Sequence, residues 1–286
     1  MIVYTRSFSL STVCLALVLL WLPAKGRAAD NWAQFRGPGA SGVSPNAGLP
    51  DVWSAEDHIA WKTPIPGRGW SSPTVWGNRI FVTSAIREGG QPEEAKKGLY
   101  FGGNREAPED VHRYLVYCLE LDTGEIAWEQ GLPAKQPEEA KIRDPGYAAN
   151  TPAADAERVY AFLGKSGVFA FDHSGKSLWQ ADVGSETNGW GPGASLMLLE
   201  DTVLVNACVE SDSLIALDRA TGQERWRTTG MKESWNTPVL ITADSGRREL
   251  VVATYGEALA FDPHTGASLW SCKTDIAWYI VPTAVA

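Results

Sequence analysis

Four times along the chain an apolar run ends in an Asp, passes through a short turn holding a Gly and reaches a Trp. The copies are Leu121-Asp122-Thr123-Gly124 to Trp128, Phe171-Asp172-His173-Ser174-Gly175 to Trp179, Leu217-Asp218-Arg219-Ala220-Thr221-Gly222 to Trp226, and Phe261-Asp262-Pro263-His264-Thr265-Gly266 to Trp270. The Trp residues recur every 44 to 51 residues, a period that marks a radial β-repeat. An Asp side chain accepts hydrogen bonds from turn N–H groups, and Gly tolerates the positive φ that closes the turn. The Trp offers a large flat surface and one N–H that needs an acceptor, which suits the wedge between adjacent units. A residue that returns once per unit serves the unit, so Asp122, Asp172, Asp218 and Asp262 read as turn residues rather than catalytic carboxylates.

Around this core the copies align into four short strands. Each unit opens at a small-polar-Pro step, Ser71-Ser72-Pro73, Asn150-Thr151-Pro152 and Asn236-Thr237-Pro238; the third copy has Gly193-Ala194-Ser195 instead. A β-branched and aromatic run follows, then the strand that ends at the Asp, then the strand bearing the Trp. Four antiparallel strands per unit, repeated, make the blade of an all-β propeller. Residues 85–113 interrupt the first blade with a long polar loop, and a loop of that length is functional or flexible. Residues 280–285 restart the first strand, so the sequence predicts an incomplete ring: four full blades plus the start of a fifth. His58-Ile59-Ala60-Trp61-Lys62 resembles a stray fourth strand and is expected to complete the last blade of the full ring, with no sheet of its own here.

Residues 1–28 read as a cleavable leader: Arg6 precedes the apolar run from Val13 to Leu22, and Gly26-Arg27-Ala28 supplies small residues for a peptidase. Residues 29–60 then form an N-terminal extension that includes the ring-closing strand, and 61–286 form the partial propeller. The expected location is periplasmic or secreted. Losing Arg6, Lys25 and Arg27 takes the formal charge from −9 to −12. An acidic surface without a basic run argues against a nucleic-acid or anionic-lipid partner, and no segment of the mature chain is long and apolar enough to span a membrane. Cys118, Cys208 and Cys272 are far apart and odd in number, which fits core or strand positions rather than a disulfide framework.

Asn31-Trp32-Ala33-Gln34-Phe35-Arg36-Gly37-Pro38, Ile59-Ala60-Trp61-Lys62 and Gly67-Arg68-Gly69-Trp70-Ser71-Ser72-Pro73 resemble the opening of exported bacterial PQQ-like propeller proteins, and the Asp-turn-Gly…Trp units resemble the PQQ repeat. The resemblance implies an eight-bladed ring, related in shape to the propeller lipoprotein of the outer-membrane assembly machine and to quinoprotein alcohol dehydrogenases. Those dehydrogenases carry a vicinal disulfide and a Ca²⁺ site over the quinone. This sequence has no adjacent cysteines, and no Glu/Asn/Asp calcium set maps onto it. The resemblance therefore implies the fold, while PQQ with Ca²⁺ as cofactor has no motif behind it, and no metal or catalytic residue is assigned.

No zinc spacing, nucleophile elbow or phosphate loop is present. Asp201, Glu210 and Asp212 form a loose acidic group that reads as a solvated face. What remains is an aromatic just ahead of each first strand: Trp70, Tyr147, Trp190, Trp235, and Trp278 with Tyr279. With Arg68, Arg143, Asn188 and Asn236 nearby, these rings are a candidate rim for a ligand or partner; otherwise they pack between blades or plug the channel. The reading that follows is an exported, non-enzymatic propeller that binds a protein or polysaccharide through one face. A PQQ-dependent oxidoreductase and a carbohydrate-binding propeller are the alternatives. Oligomeric state is not encoded in any feature of the chain.

Overall fold

The computed structural model describes residues 31–44, 49–89, 110–133, 135–136, 147–188, 190–276 and 280–285. The leader, most of the long first-blade loop, Arg143, Trp278 and Tyr279 lie outside the described residues. Four antiparallel sheets of four strands account for nearly all the regular structure. Blade 1 is β1 (Thr74–Trp76), β2 (Arg79–Arg87), β3 (His112–Glu120) and β4 (Ile126–Gly131). Blade 2 is β5 (Ala153–Ala154), β6 (Arg158–Phe162), β7 (Val168–Asp172) and β8 (Ser177–Ala181). Blade 3 is β9 (Met197–Leu199), β10 (Thr202–Ala207), β11 (Ser213–Asp218) and β12 (Glu224–Thr229). Blade 4 is β13 (Val239–Thr242), β14 (Arg248–Thr254), β15 (Glu257–Phe261) and β16 (Ser268–Lys273). Each sheet pairs its strands in chain order, the expected propeller blade. Among the described residues no helix is long and apolar enough to cross a membrane.

The core lies between sheets, not within one. Successive side chains of a strand point to opposite faces, so the middle strands divide their apolar residues between two neighbours. Tyr160 and Phe162 of β6 pack with Val203, Val205 and Ile215 of blade 3. Val159 and Ala161 of the same strand pack with Phe81, Val116 and Cys118 of blade 1. Leu204 and Leu214 of blade 3 meet Leu250, Val252 and Phe261 of blade 4. Burial on both faces is why these strands read as continuous apolar runs. The outer strands are largely exposed.

A chain of hydroxyls ties the first strands together. Ser72 N donates to Thr151 Oγ1 (2.9 Å), Thr151 N to Ser195 Oγ (3.0 Å) and Ser195 N to Thr237 Oγ1 (3.1 Å). The third copy lacks the Pro, yet Ser195 puts its hydroxyl in the same place, so the repeat is unbroken there. The first-blade loop is shorter than expected, because β2 continues to Arg87 and β3 begins at His112. Its base is closed by Arg87–Asp110 (2.8 Å) and Arg113–Glu88 (3.0 Å) ion pairs.

Candidate functional site

The recurring Trp and Gly form the blade seams. A Cβ placed on Gly222 (φ 74°) would lie 2.5 Å from the Trp179 ring, and one on Gly266 (φ 70°) 2.5 Å from the Trp226 ring. Gly175 is related in the same way to Trp128, at 3.0 Å. Glycine at these positions lets the indole of one blade lie flat on the turn of the next. Trp128 Nε1 donates to His173 O (2.9 Å) and Trp179 Nε1 to Arg219 O (3.0 Å) across the seams. Trp61, which precedes blade 1 in the chain, meets a turn in the same way. Trp61 covers Gly124, its Nε1 donates to Leu121 O (2.9 Å), and Thr63 Oγ1 donates to Gly124 O (2.6 Å). Residues 58–62 belong to none of the four sheets.

The turn carboxylates are engaged as the sequence suggests in three blades. Asp172 Oδ1 accepts from Ser174 N and Oγ and from Lys176 N. Asp218 Oδ1 accepts from Ala220 N, Thr221 N and Thr221 Oγ1, and Asp262 Oδ1 from His264 N and Thr265 N. In blade 1 the position belongs to Glu120, not Asp122. Gly124 N bonds Glu120 O as Gly222 N bonds Asp218 O, each at 2.8 Å. Asp122 lies exposed inside the turn, and the Glu120 side chain reaches Asn78 and Arg79 instead. The Asp218 carboxyl is held down to about 2, first by Arg225 and then by the Thr221 hydroxyl and N–H. Arg225 also pairs with Asp201 (2.6 Å), linking two turns of blade 3.

One seam carries a feature that the sequence reading missed. Asp155, buried in the β5–β6 turn, accepts from Tyr160 Oη (2.7 Å), Glu157 N and Arg158 N (both 2.8 Å), and pairs with Arg219 Nη2 (2.6 Å) of blade 3. Burial alone would raise this carboxyl; the two turn N–H groups, the phenol and the guanidinium together hold it below its ordinary value. Burial and the adjacent carboxylate push the Tyr160 phenol far up. Arg219 varies among the repeats, so no recurring pattern pointed to this pair.

The expected aromatic rim is not one structural position. Counting back from the relay hydroxyls, Trp70 and Trp235 each lie two residues before, Tyr147 four before and Trp190 five before. Trp70 is 65% exposed, and its backbone N–H donates to Ala148 O (2.9 Å). Trp235 is buried, lies against Gly193 and donates from Nε1 to Gly191 O (2.8 Å). Tyr147 is buried edge-on to His112 and Tyr114, with ring centroids 5.1 and 6.1 Å away. Trp190 is half-buried beside Asn188, whose Nδ2 donates to Glu233 Oε1 (2.8 Å). Arg68 pairs through its backbone with Ala85 at the edge of β2. Thus Trp70 and Arg68 remain accessible, while Tyr147 and Trp235 pack the blades; Trp278 lies outside the described residues.

Three amide and hydroxyl side chains near the first strands donate to neighbouring blades. Thr83 Oγ1 donates to Asn150 O (3.0 Å), Asn150 Nδ2 to Ala194 O (2.5 Å), and Asn206 Nδ2 to Asn236 O (2.8 Å). Calcium would need six to eight oxygens including carboxylates. Among the described residues no three His, Cys, Asp or Glu side chains converge. Asp201 and Glu210, grouped in sequence, lie at opposite ends of β10. Cys118 and Cys208 are buried free thiols, the first pushed up to about 11 by that burial, and Cys272 is exposed.

Four-stranded blades, stacked by Trp on Gly around a common axis, define a propeller of the PQQ-like class. The family profile described as outer membrane protein assembly factor BamB matches residues 111–229 and 210–285. These spans cover more than half of the chain, and the chain belongs to that PQQ-like family. No curated protein sequence matches it. Among solved structures it is similar to quinohemoprotein alcohol dehydrogenase from Comamonas testosteroni, with 13% identity and a TM-score of 0.53 over 89% of this chain and 43% of that one. It is also similar to BamB from Moraxella catarrhalis (16% identity, TM-score 0.33, 59% of this chain and 62% of that one). A europium-containing methanol dehydrogenase gives 15% identity and a TM-score of 0.41, over 72% of this chain and 51% of that one. The chain thus spans 43% to 62% of the length of these structures. The first of them supports the shared fold.

Proposed function

We propose that this chain is an exported, non-enzymatic propeller that binds a protein partner through the face carrying Trp70 and Arg68. The observation that carries the reading is the commitment of the inner polar groups. Asn150 Nδ2, Asn206 Nδ2, Thr83 Oγ1 and the relay hydroxyls hold blade to blade, and among the described residues no three His, Cys, Asp or Glu side chains converge. The family profile, described as an assembly factor, agrees with a scaffold. An exposed Trp beside an Arg is the composition favoured at protein interfaces.

Two measurements test this. A photocrosslinking residue at position 70 is expected to capture a discrete protein in cells, whereas one at Leu178, on the exposed outer strand β8, captures none. Titration of the exported protein with PQQ and Ca²⁺ to high micromolar levels is expected to leave Trp fluorescence unchanged and produce no dye-linked alcohol oxidation. Saturable quenching with oxidation would establish the quinoprotein alternative and end the scaffold reading.

A further inference from the structure

Residues 31–42 run across the innermost strands of successive blades and meet each in turn. Asn31 Oδ1 accepts from Gly77 N (2.8 Å) in the β1–β2 turn, and Trp32 O from Val75 N (2.9 Å) of β1. Ala33 O accepts from Ala154 N (2.8 Å) of β5, and Gln34 Oε1 from Leu198 N (2.7 Å) of β9. Ala40 then packs against Val239 and Val251 of blade 4, and Arg36 Nη1 donates to Ala284 O (3.2 Å). Three consecutive residues thus satisfy backbone donors of three different sheets. An innermost strand is a sheet edge, and an unpaired edge takes up an extended segment through its main-chain donors.

The segment is shaped for this seat. Arg36, Gly37, Gly39, Ala40 and Gly42 all have positive φ, which winds the chain through successive tight turns after Gln34. A Cβ on Gly37 would fall 2.6 Å from the Trp32 ring, so the indole lies directly on that glycine. The Arg36 guanidinium covers Gly42 and donates to Ser41 O (3.1 Å). Gln34, Gly37 and Ala40 are buried. Left-handed backbone at Arg36 and Ala40 is unfavourable for residues with a Cβ, so the seat must outweigh it.

We propose that the inner edges of the blades form a peptide-binding surface for an extended Trp-Ala-Gln segment, filled in cis by residues 31–42. The segment pins three independently hydrogen-bonded sheets through one stretch of chain. This inference stands apart from the scaffold reading and does not depend on the identity of any partner.

The test uses the full chain carrying Gly37→Val, which removes the space under Trp32, and a synthetic peptide of residues 31–42 as probe. Amide hydrogen exchange at Val75, Ala154 and Leu198 is expected to accelerate together by about tenfold or more, while Val205 inside β10 changes by less than about twofold. Added peptide restores protection at all three amides saturably, and a peptide carrying the same substitution does not. Unchanged exchange at the three amides, or acceleration that the peptide cannot reverse, would overturn the proposal. Should Gly37→Val fail to fold, Gln34→Ala replaces it. Exchange at Leu198 alone is then expected to accelerate, and no change there would overturn the proposal equally.

Discussion

The seam between blades 2 and 3 and the outer face of blade 4 use the same local sequence to different ends. Trp179 lies on Gly222 of the next blade and donates to Arg219 O. Trp270 occupies the same register, opposite Ala260 as Trp179 is opposite Ala170. Its Nε1 instead donates to Glu249 Oε2 (2.6 Å) of its own sheet. Trp235 and Trp70, each ahead of a first strand, show the same contrast. The first is buried on Gly193 of the preceding blade, while the second, equally placed two residues before its relay hydroxyl, is 65% exposed. Trp179 and Trp235 each meet an adjacent blade, whereas Trp70 and Trp270 belong to the first and last described blades.

The largest effect is expected where the Trp has its seam. Trp179→Ala should lower unfolding stability by about 3 kcal/mol, through lost burial and an unfilled wedge. Trp270→Ala should lower it by about half as much. Denaturant midpoints measure both, and equal losses would break the comparison. Glycine substitutions sharpen it further. Gly222→Ala adds a Cβ 2.5 Å from the Trp179 ring at φ 74°, and should cost about 2 to 3 kcal/mol. Gly246→Ala, at φ 80° with no atom within 4 Å, should cost about 1 kcal/mol, from backbone strain alone. Similar thermal shifts for the two would show that the indole yields readily.

The smallest effect concerns acid. Asp218 is held at about 2 in the folded state by Arg225 and the turn hydroxyl, below the ordinary value of about 4. A depressed carboxyl stabilises the fold above its unfolded value, and that contribution is lost as pH falls from about 4 towards 2. Asp218→Asn should therefore flatten the acid limb in that window by under about 1 kcal/mol, because the pair is partly solvated. Stability measured at pH 7, 4 and 2 checks this. A steeper limb in the variant would reverse the assigned sign.

Much of the fold was legible because packing repeats. The spacing from Gly to Trp is constant, and four positive-φ glycines with four indoles follow from it. The turns were less legible. Length variation between Asp and Gly hid the equivalence of Glu120 with Asp172, Asp218 and Asp262, which only the turn hydrogen bonds reveal. A β-bulge in every outer strand, between the turn and the Trp, also leaves no residue signature. It is a local register shift that increases twist and so reorients the indole. The candidate rim fared least well, since aromatics at two, four and five residues before the relay looked alike until their positions were aligned in space.

The sequence by itself determined the blade: its four strands, its turn glycines, its seam Trp and the number of copies. Short-range periodicity and turn chemistry act over a few residues, and a single chain displays them in full. The tertiary structure decided that Trp179 lies on Gly222 and Trp235 on Gly193, that Asp155 and Arg219 lock one seam, and that residues 31–42 cross four sheets. Those outcomes depend on groups far apart in the chain meeting in space. The Asp-turn-Gly…Trp unit specifies a blade able to stack, and the neighbouring blade determines what each stacked residue does.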